Sequence, residues 1–294
     1  MDCLGGETDG LGERVLGWRS AGHFESVASR SIFVHSCDGA GPLLLFLHGF
    51  PSSSYDWRET IAALGGRASL APDFLGFGLS DKPRDARYSL FEQADIVEEL
   101  LAREGRRPVR IVAHDMGTSV ATELMARDIE RRLGFELAGV LLFNGSIIIE
   151  RASLTWGQKL LRSPLGPLAA RMSSRRVFIR EIARLFSPAH PLGKQEAEDQ
   201  WALWHRAGGD RIAHRLVAYL DERSSFASRW HGAIANWPGQ LELAWGLRDP
   251  VATSEVLAGL RELRPSVPVT ELVELGHYPQ IEQPATIAAL AIRS

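Results

Sequence analysis

The 294-residue chain predicts an α/β fold: a mostly parallel sheet with helices on both faces and a helical insertion. Three observations carry this. Short apolar runs alternate with segments of helical spacing from Pro42 to Phe143, the alternation stops after Gly145, and it resumes near Leu241. Strands that alternate with helices of this length read as βαβ units. In order, residues 23–38 alternate like an antiparallel hairpin at the sheet's edge. Residues 43–47, 69–74, 109–113 and 137–143 are apolar runs of strand length, and 55–64, 90–104 and 117–128 have helical spacing between them. Residues 147–236 carry Arg, Trp and Leu at helical spacing with no strand signal. A strand over 241–246, a helix over 253–263, a strand over 270–275 and a helix over 284–292 complete the pattern. The expected organisation is therefore a core of residues 1–146 and 237–294, with 147–236 inserted as a helical lid.

Composition narrows the function. At 45% hydrophobic and 23% charged residues, the chain is globular. Its net charge of -3 offers no strongly basic field for nucleic acid or an anionic membrane. The two cysteines, Cys3 and Cys37, cannot form a disulfide framework; they could pair once, and a reduced protein is the simpler reading. No basic and apolar leader opens the chain, and no apolar run is long enough to span a bilayer. A cytoplasmic monomer or homodimer is expected. Metal and cofactor signatures are missing as well: there is no HExxH, C-x-x-C or P-loop, and Gly76 and Gly78 do not open a helix in dinucleotide-binding spacing. The expectation is a protein with no cofactor and no metal.

Ligands of open α/β sheets bind beyond the carboxyl ends of the strands. There the sequence places His48-Gly49-Phe50-Pro51, His114-Asp115-Met116-Gly117, Arg248-Asp249-Pro250 and Gly276-His277-Tyr278-Pro279. Asp115, Asp249 and His277 follow the order nucleophile, acid, histidine. Asp115 sits between a strand and a helix with small neighbours, Ala113 and Gly117, as a strained nucleophile turn requires. An aspartate there also serves as a helix cap, and Asp249, before Pro250, and His277, before Tyr278-Pro279, could simply shape turns.

The stretches HGFP, DFLGFGLSDKP, AHDMG, GLRDP and GHYPQ, in this order, resemble the α/β-hydrolase superfamily. The aspartate in the nucleophile position narrows the resemblance to the epoxide hydrolase and haloalkane dehalogenase branch, and within it to bacterial hydrolases similar to mesoderm-specific transcript protein. The resemblance covers most of residues 40–130 and 240–285 and is loose over the lid. It implies that Asp115 forms an alkyl ester with substrate, that His277 activates water, and that Asp249 orients the imidazole. It also implies an oxyanion hole from the backbone N–H groups of Phe50 and Met116, a bracing role for His48, and a loop-fixing role for Asp73. Asn144 occupies another place where relatives carry the triad acid, but an amide cannot supply the charge. Haloalkane dehalogenases hold the halide with a Trp after the nucleophile and an Asn in the H-G-N-P loop; here Met116 and Phe50 stand instead. HGFP is typical of epoxide hydrolases, which add lid tyrosines as proton donors, and Tyr219 is the one tyrosine in the lid. Trp156, Trp201, Trp204 and Trp230 are expected to supply an apolar pocket, of which Trp156, Trp204 and Trp230 are the named candidates. The expected partners are a small apolar organic substrate and water. An epoxide is favoured over a halide, ester or lactone, and a binding module without turnover is the non-enzymatic alternative.

Overall fold

The computed structural model describes residues 10–105 and 107–293. Cys3, and with it the pairing considered with Cys37, lies outside the described residues.

Eight strands form one sheet: β1 (His23–Val27), β2 (Arg30–Cys37), β3 (Ala40–Leu47), β4 (Arg67–Pro72), β5 (Val109–His114), β6 (Leu137–Phe143), β7 (Gln240–Gly246) and β8 (Val269–Leu272). Their order is β1-β2-β4-β3-β5-β6-β7-β8. The β1–β2 hairpin sits at the edge, antiparallel to its neighbours, and every pairing from β4 to β8 is parallel. This is the arrangement that the resemblance to α/β-hydrolases implies.

The central strands are continuous apolar runs because both faces are covered, as parallel sheets require. Alternate side chains enter different cores. Leu43, Leu45, Leu47, Ile111, Ala113, Val140 and Leu142 pack on one face, and Leu44, Phe46, Val112, Leu141, Phe143 and Ala244 on the other. Pairing of Leu47 with Ala113, of His114 with Phe143 and of Phe143 with Ala244 brings the carboxyl ends of β3, β5, β6 and β7 level. The loops that follow these ends therefore meet at one edge.

Three elements differ from expectation. The helix Glu13–Ala21 buries only Val15 and Trp18, too few apolar positions to mark it in sequence. The segment after Ser53 begins as a 3-10 turn, Ser54–Trp57, before the helix Arg58–Ala62. β8 stops at Leu272 because the chain turns there, with Leu275 N–H donating to the Leu272 carbonyl at 3.1 Å, and so delivers His277 to the strand ends. Between β6 and β7 runs the long helical insertion, from Trp156–Arg162, Gly166–Arg171, Arg175–Ala183 and Lys194–His205 to Tyr219–Ser225 and Ala227–Asn236.

Candidate active site

β5 ends at His114 and the next helix, Met116–Ile129, begins two residues later, so Asp115 alone makes the turn. It adopts φ 43° and ψ −110°. A non-glycine residue pays for positive φ, and such strain persists only where the surroundings enforce it. Here Thr118 N–H and Oγ1 donate to the Asp115 carbonyl at 3.1 and 2.5 Å. Glycines let the neighbouring chain approach: a Cβ on Gly49 would lie 2.7 Å from the Asp115 Cβ, and one on Gly117 would lie 2.7 Å from the His48 carbonyl oxygen. The Asp115 side chain makes no capping bond to its helix. Its carboxylate is free for another task.

That carboxylate accepts from Phe50 N–H through Oδ2 at 2.9 Å. The peptide carrying this N–H is held from its other side. The Gly49 carbonyl accepts from His48 Nδ1 at 2.9 Å, from Ser52 N–H at 3.2 Å and from Ser52 Oγ at 3.3 Å. His48 Nε2 accepts from Phe74 N–H at 2.9 Å, so the proton must be on Nδ1 and the ring neutral. Burial agrees, since it lowers the His48 pKa despite the nearby Asp73 carboxylate. His48 thus braces the loop that presents Phe50 N–H. Of the two expected oxyanion donors only the Phe50 amide bonds the carboxylate; Met116 N–H makes no bond to it. Asp73 fixes the following loop, accepting from Ser54 and Leu79 N–H at 2.7 and 2.6 Å.

His277 Nδ1 lies 2.7 Å from Asp249 Oδ2. Asp249 follows β7 and is buried, with Val251 and Ala252 N–H donating to Oδ1 at 2.7 and 3.1 Å. Asn144, at the end of β6, donates its amide to Asp249 Oδ2 at 2.8 Å. Its Oδ1 takes Gly246 N–H at 2.9 Å, and its own φ of 49° shows the effort of placing it. The amide has become a holder of the acid, a role that sequence reasoning did not assign. Burial disfavours a charged imidazole, but the Asp249 carboxylate outweighs it, and the His277 pKa is raised above the ordinary value. The arrangement is a buried acid that orients a histidine and leaves Nε2 free to take a proton.

A second buried network supports His277 from behind. His114 Nε2 lies 2.6 Å from the His277 carbonyl oxygen, and Gln280 Nε2 lies 3.1 Å from His114 Nδ1. The carbonyl can only accept, so His114 is the Nε2–H tautomer and Gln280 donates to its Nδ1. The same Gln280 amide reaches Asp56 at 3.4 Å, and Gln200 donates to Asp56 at 2.7 Å. Burial pushes the Asp56 carboxyl up to about 7. None of His114, Gln280 or Asp56 was a sequence candidate. Only the histidine adjoining Asp115 offered a signal.

The insertion closes over this edge around a cavity of about 370 Å³, whose inner wall includes Phe50 and His277. Asp115 stands behind Phe50, 2% exposed, and does not itself line the space. Trp204 lines the cavity and meets the Phe50 ring edge-on at 5.5 Å, and Trp156 stands exposed at its rim. The expectation for Trp230 is corrected. It is fully buried away from the cavity, with Nε1 donating to Glu123 at 3.0 Å, because the helix Ala227–Asn236 packs on the helix that follows Asp115. Tyr219 is buried, its ring 5.8 Å from that of Phe50, and its hydroxyl accepts from the cavity residue Gln158 at 3.3 Å. No acceptor for its own proton is present among the described residues. Burial, with the Asp115 charge acting the same way, raises the Tyr219 pKa and keeps the phenol protonated.

Sequence reasoning also missed Arg223. It comes from the insertion, is fully buried, and donates Nη2 to the Asp115 carbonyl at 2.8 Å and Nε to Ser119 Oγ at 2.8 Å. Nη2 is 3.6 Å from Asp115 Oδ1, and the guanidinium carbon is 4.7 Å from the Tyr219 ring centre.

The model of the alpha/beta hydrolase family matches residues 44–290. LipZ of Mycobacterium tuberculosis is 56% identical over 278 residues, covering 95% of this chain and 96% of its own. Mouse mesoderm-specific transcript protein is 36% identical over 286 residues, 93% of this chain and 85% of its own. Among solved structures, haloalkane dehalogenase DbeA from Bradyrhizobium elkani superposes with a TM-score of 0.75 at 23% identity, covering 92% of this chain and 96% of its own. Epoxide hydrolase CorEH superposes with 0.72 at 17% identity, over the same shares. At those identities the shared feature is the fold.

Proposed function

The chain belongs to the α/β-hydrolase family, and from that premise we propose that it hydrolyses a small apolar substrate through an alkyl ester on Asp115, most favourably an epoxide. The observation that carries this reading is the turn itself: a strained, buried carboxylate with Phe50 N–H on Oδ2, beside the Asp249–His277 pair. A carboxylate in that position attacks an sp³ carbon, where a serine would attack an acyl group. Asp115 Oδ1 bonds to an epoxide carbon, the ring C–O bond breaks, and the freed oxygen takes the Tyr219 proton. His277 Nε2 then removes a proton from water, whose oxygen attacks Asp115 Cγ. The tetrahedral oxyanion forms on the Phe50 N–H; its collapse breaks the Cγ–Oδ1 bond, His277 gives its proton to the departing alkoxide to release the diol, and the proton left on the Asp115 carboxyl returns to Tyr219. Removal of one such amide donor typically costs about 2.7–4 kcal/mol of barrier.

Two features favour an epoxide over a halide. Met116 and Phe50 offer no side-chain donor to a departing halide, whereas Tyr219 has an uncommitted proton and a Gln158 amide bonded to its oxygen that makes it a better donor. Closed as it is, the insertion acts as a lid. Substrate passing inward along Phe50 must displace its contacts with Trp204 and Tyr219 to reach Oδ1.

The test is the His277→Gln variant, which allows ester formation but not its hydrolysis. Incubation with apolar epoxides and haloalkanes is expected to add the mass of the epoxide to the peptide that carries Asp115. An adduct from haloalkanes alone would reassign the leaving group. Absence of any adduct, with no turnover by the unaltered protein, would leave a binding module.

A further inference from the structure

The chain's net charge of -3 conceals an uneven distribution. Between Trp156 and Arg184 there are seven cations, Lys159, Arg162, Arg171, Arg175, Arg176, Arg180 and Arg184, against one acid, Glu181. Arg162 pairs with Asp221, Arg175 with Glu198, and Arg180 and Arg184 share Glu181. Lys159, Arg171 and Arg176 are exposed and have no acidic partner among the described residues. Arg171 also faces a surface hollow with Arg84, Arg211 and Arg215, which extends the basic area.

The same segment is apolar on its outside. Leu165, Leu168 and Met172 stand at i, i+3 and i+7 around the helix Gly166–Arg171, which puts them on one stripe. That stripe points to solvent, with exposures of 61, 56 and 72%, while Ala170 faces inward. Trp156 and Val177, 69 and 40% exposed, join Met172 around the mouth of the cavity that reaches His277. Exposed apolar clusters bounded by cations mark interaction sites.

We propose that this face docks on an anionic lipid surface, with the cavity mouth turned toward the bilayer. Charge complementarity selects this occupant. A second copy of the chain in a symmetric pair would set the basic face against itself, whereas an anionic interface attracts each cation and accepts the apolar side chains together. An indole at the rim suits the boundary between headgroups and acyl chains. The geometry then gives an apolar molecule a path from the membrane into the cavity without crossing water. Docking itself does not depend on the reaction proposed above.

Flotation with vesicles tests it. The unaltered protein is expected to float with vesicles of phosphatidylcholine mixed with phosphatidylglycerol in equal parts, to bind pure phosphatidylcholine far less, and to be released by salt. The variant Leu165→Ser/Leu168→Ser/Met172→Ser and the variant Arg171→Glu/Arg176→Glu are each expected to lower binding by roughly tenfold or more. All five sites are exposed, so circular dichroism of both variants should match the unaltered protein. Asp115→Asn, which abolishes the proposed chemistry, should bind vesicles normally. Equal binding to charged and neutral vesicles, no binding to either, or variants that bind like the unaltered protein would overturn the proposal. So would a lipid-free dimer, seen by sedimentation, that the triple serine variant dissolves.

Discussion

At the scale of single residues, the proposed reaction turns on how Asp249 and Tyr219 set protons. In that reaction His277 must be neutral to accept a proton from water, so its raised pKa predicts an acid limb of turnover above the ordinary histidine value of about 6.5. Asp249→Asn removes the charge that raises it while burial remains. Turnover is expected to fall about 10⁴-fold, with the residual acid limb moved to lower pH, as measured by kcat/KM across pH. A limb that stays in place would remove Asp249 from this role. Tyr219→Phe leaves the ring contacts with Phe50 and Arg223 and deletes only the hydroxyl. Epoxide turnover should drop by roughly 10²–10⁴-fold and any haloalkane turnover should be unchanged, read as the ratio of the two kcat values. The placement of Asp115, Asp249 and His277 at the strand ends was legible in the sequence because each follows a strand that its apolar run already marks. Asn144 was legible as a position but not as a partner, since an amide's role depends on which carboxylate it meets.

At the scale of elements, the inserted helices are tied to the core by two arginines, Arg223 buried and Arg229 half-buried. Arg223 binds the helix Tyr219–Ser225 to the Asp115 turn, and Arg229 binds the helix Ala227–Asn236 to Glu123 at 2.7 Å. Glu123 is itself buried. Burial pushes its carboxyl pKa up, but bonds from Arg229, Trp230 and Arg127 outweigh that and hold it below the usual range. Arg223→Met leaves Asp115 and Ser119 without this partner, and breaking such a buried pair should cost about 3–5 kcal/mol in denaturant unfolding. Arg223→Lys should not restore the loss, because one ammonium cannot span the two acceptors that the planar guanidinium reaches. The core strands were readable because burial on both faces writes itself as uninterrupted apolar residues. The ties were not readable: an arginine in an arginine-rich helix gives no sign of facing inward. Trp230 illustrates the same limit, since an indole fits a cavity wall and a helix interface equally well.

At the scale of the whole molecule, one sheet divides two cores, and a buried polar seam beneath the strand ends joins the insertion to both. Asp56 lies in that seam. With its carboxyl at about 7, the folded protein keeps a proton that the unfolded chain loses above about 4. The resulting stabilisation is complete below that lower value and is lost as pH rises through 7. Asp56→Asn should abolish this decline, seen as a flatter urea midpoint between pH 4 and 7. Parallel curves for the two proteins would refute it. Net charge was a poor guide at this scale, because a sum over the chain averages away its most uneven region. The Arg223 contact carries one last implication, for chimeras. Between β6 and β7 an insertion from a homologue can be transplanted to change what the cavity admits, yet a graft lacking an arginine at this place would strip the Asp115 turn of a strut. Recombination can exchange the roof of this enzyme only if the replacement brings its own keystone.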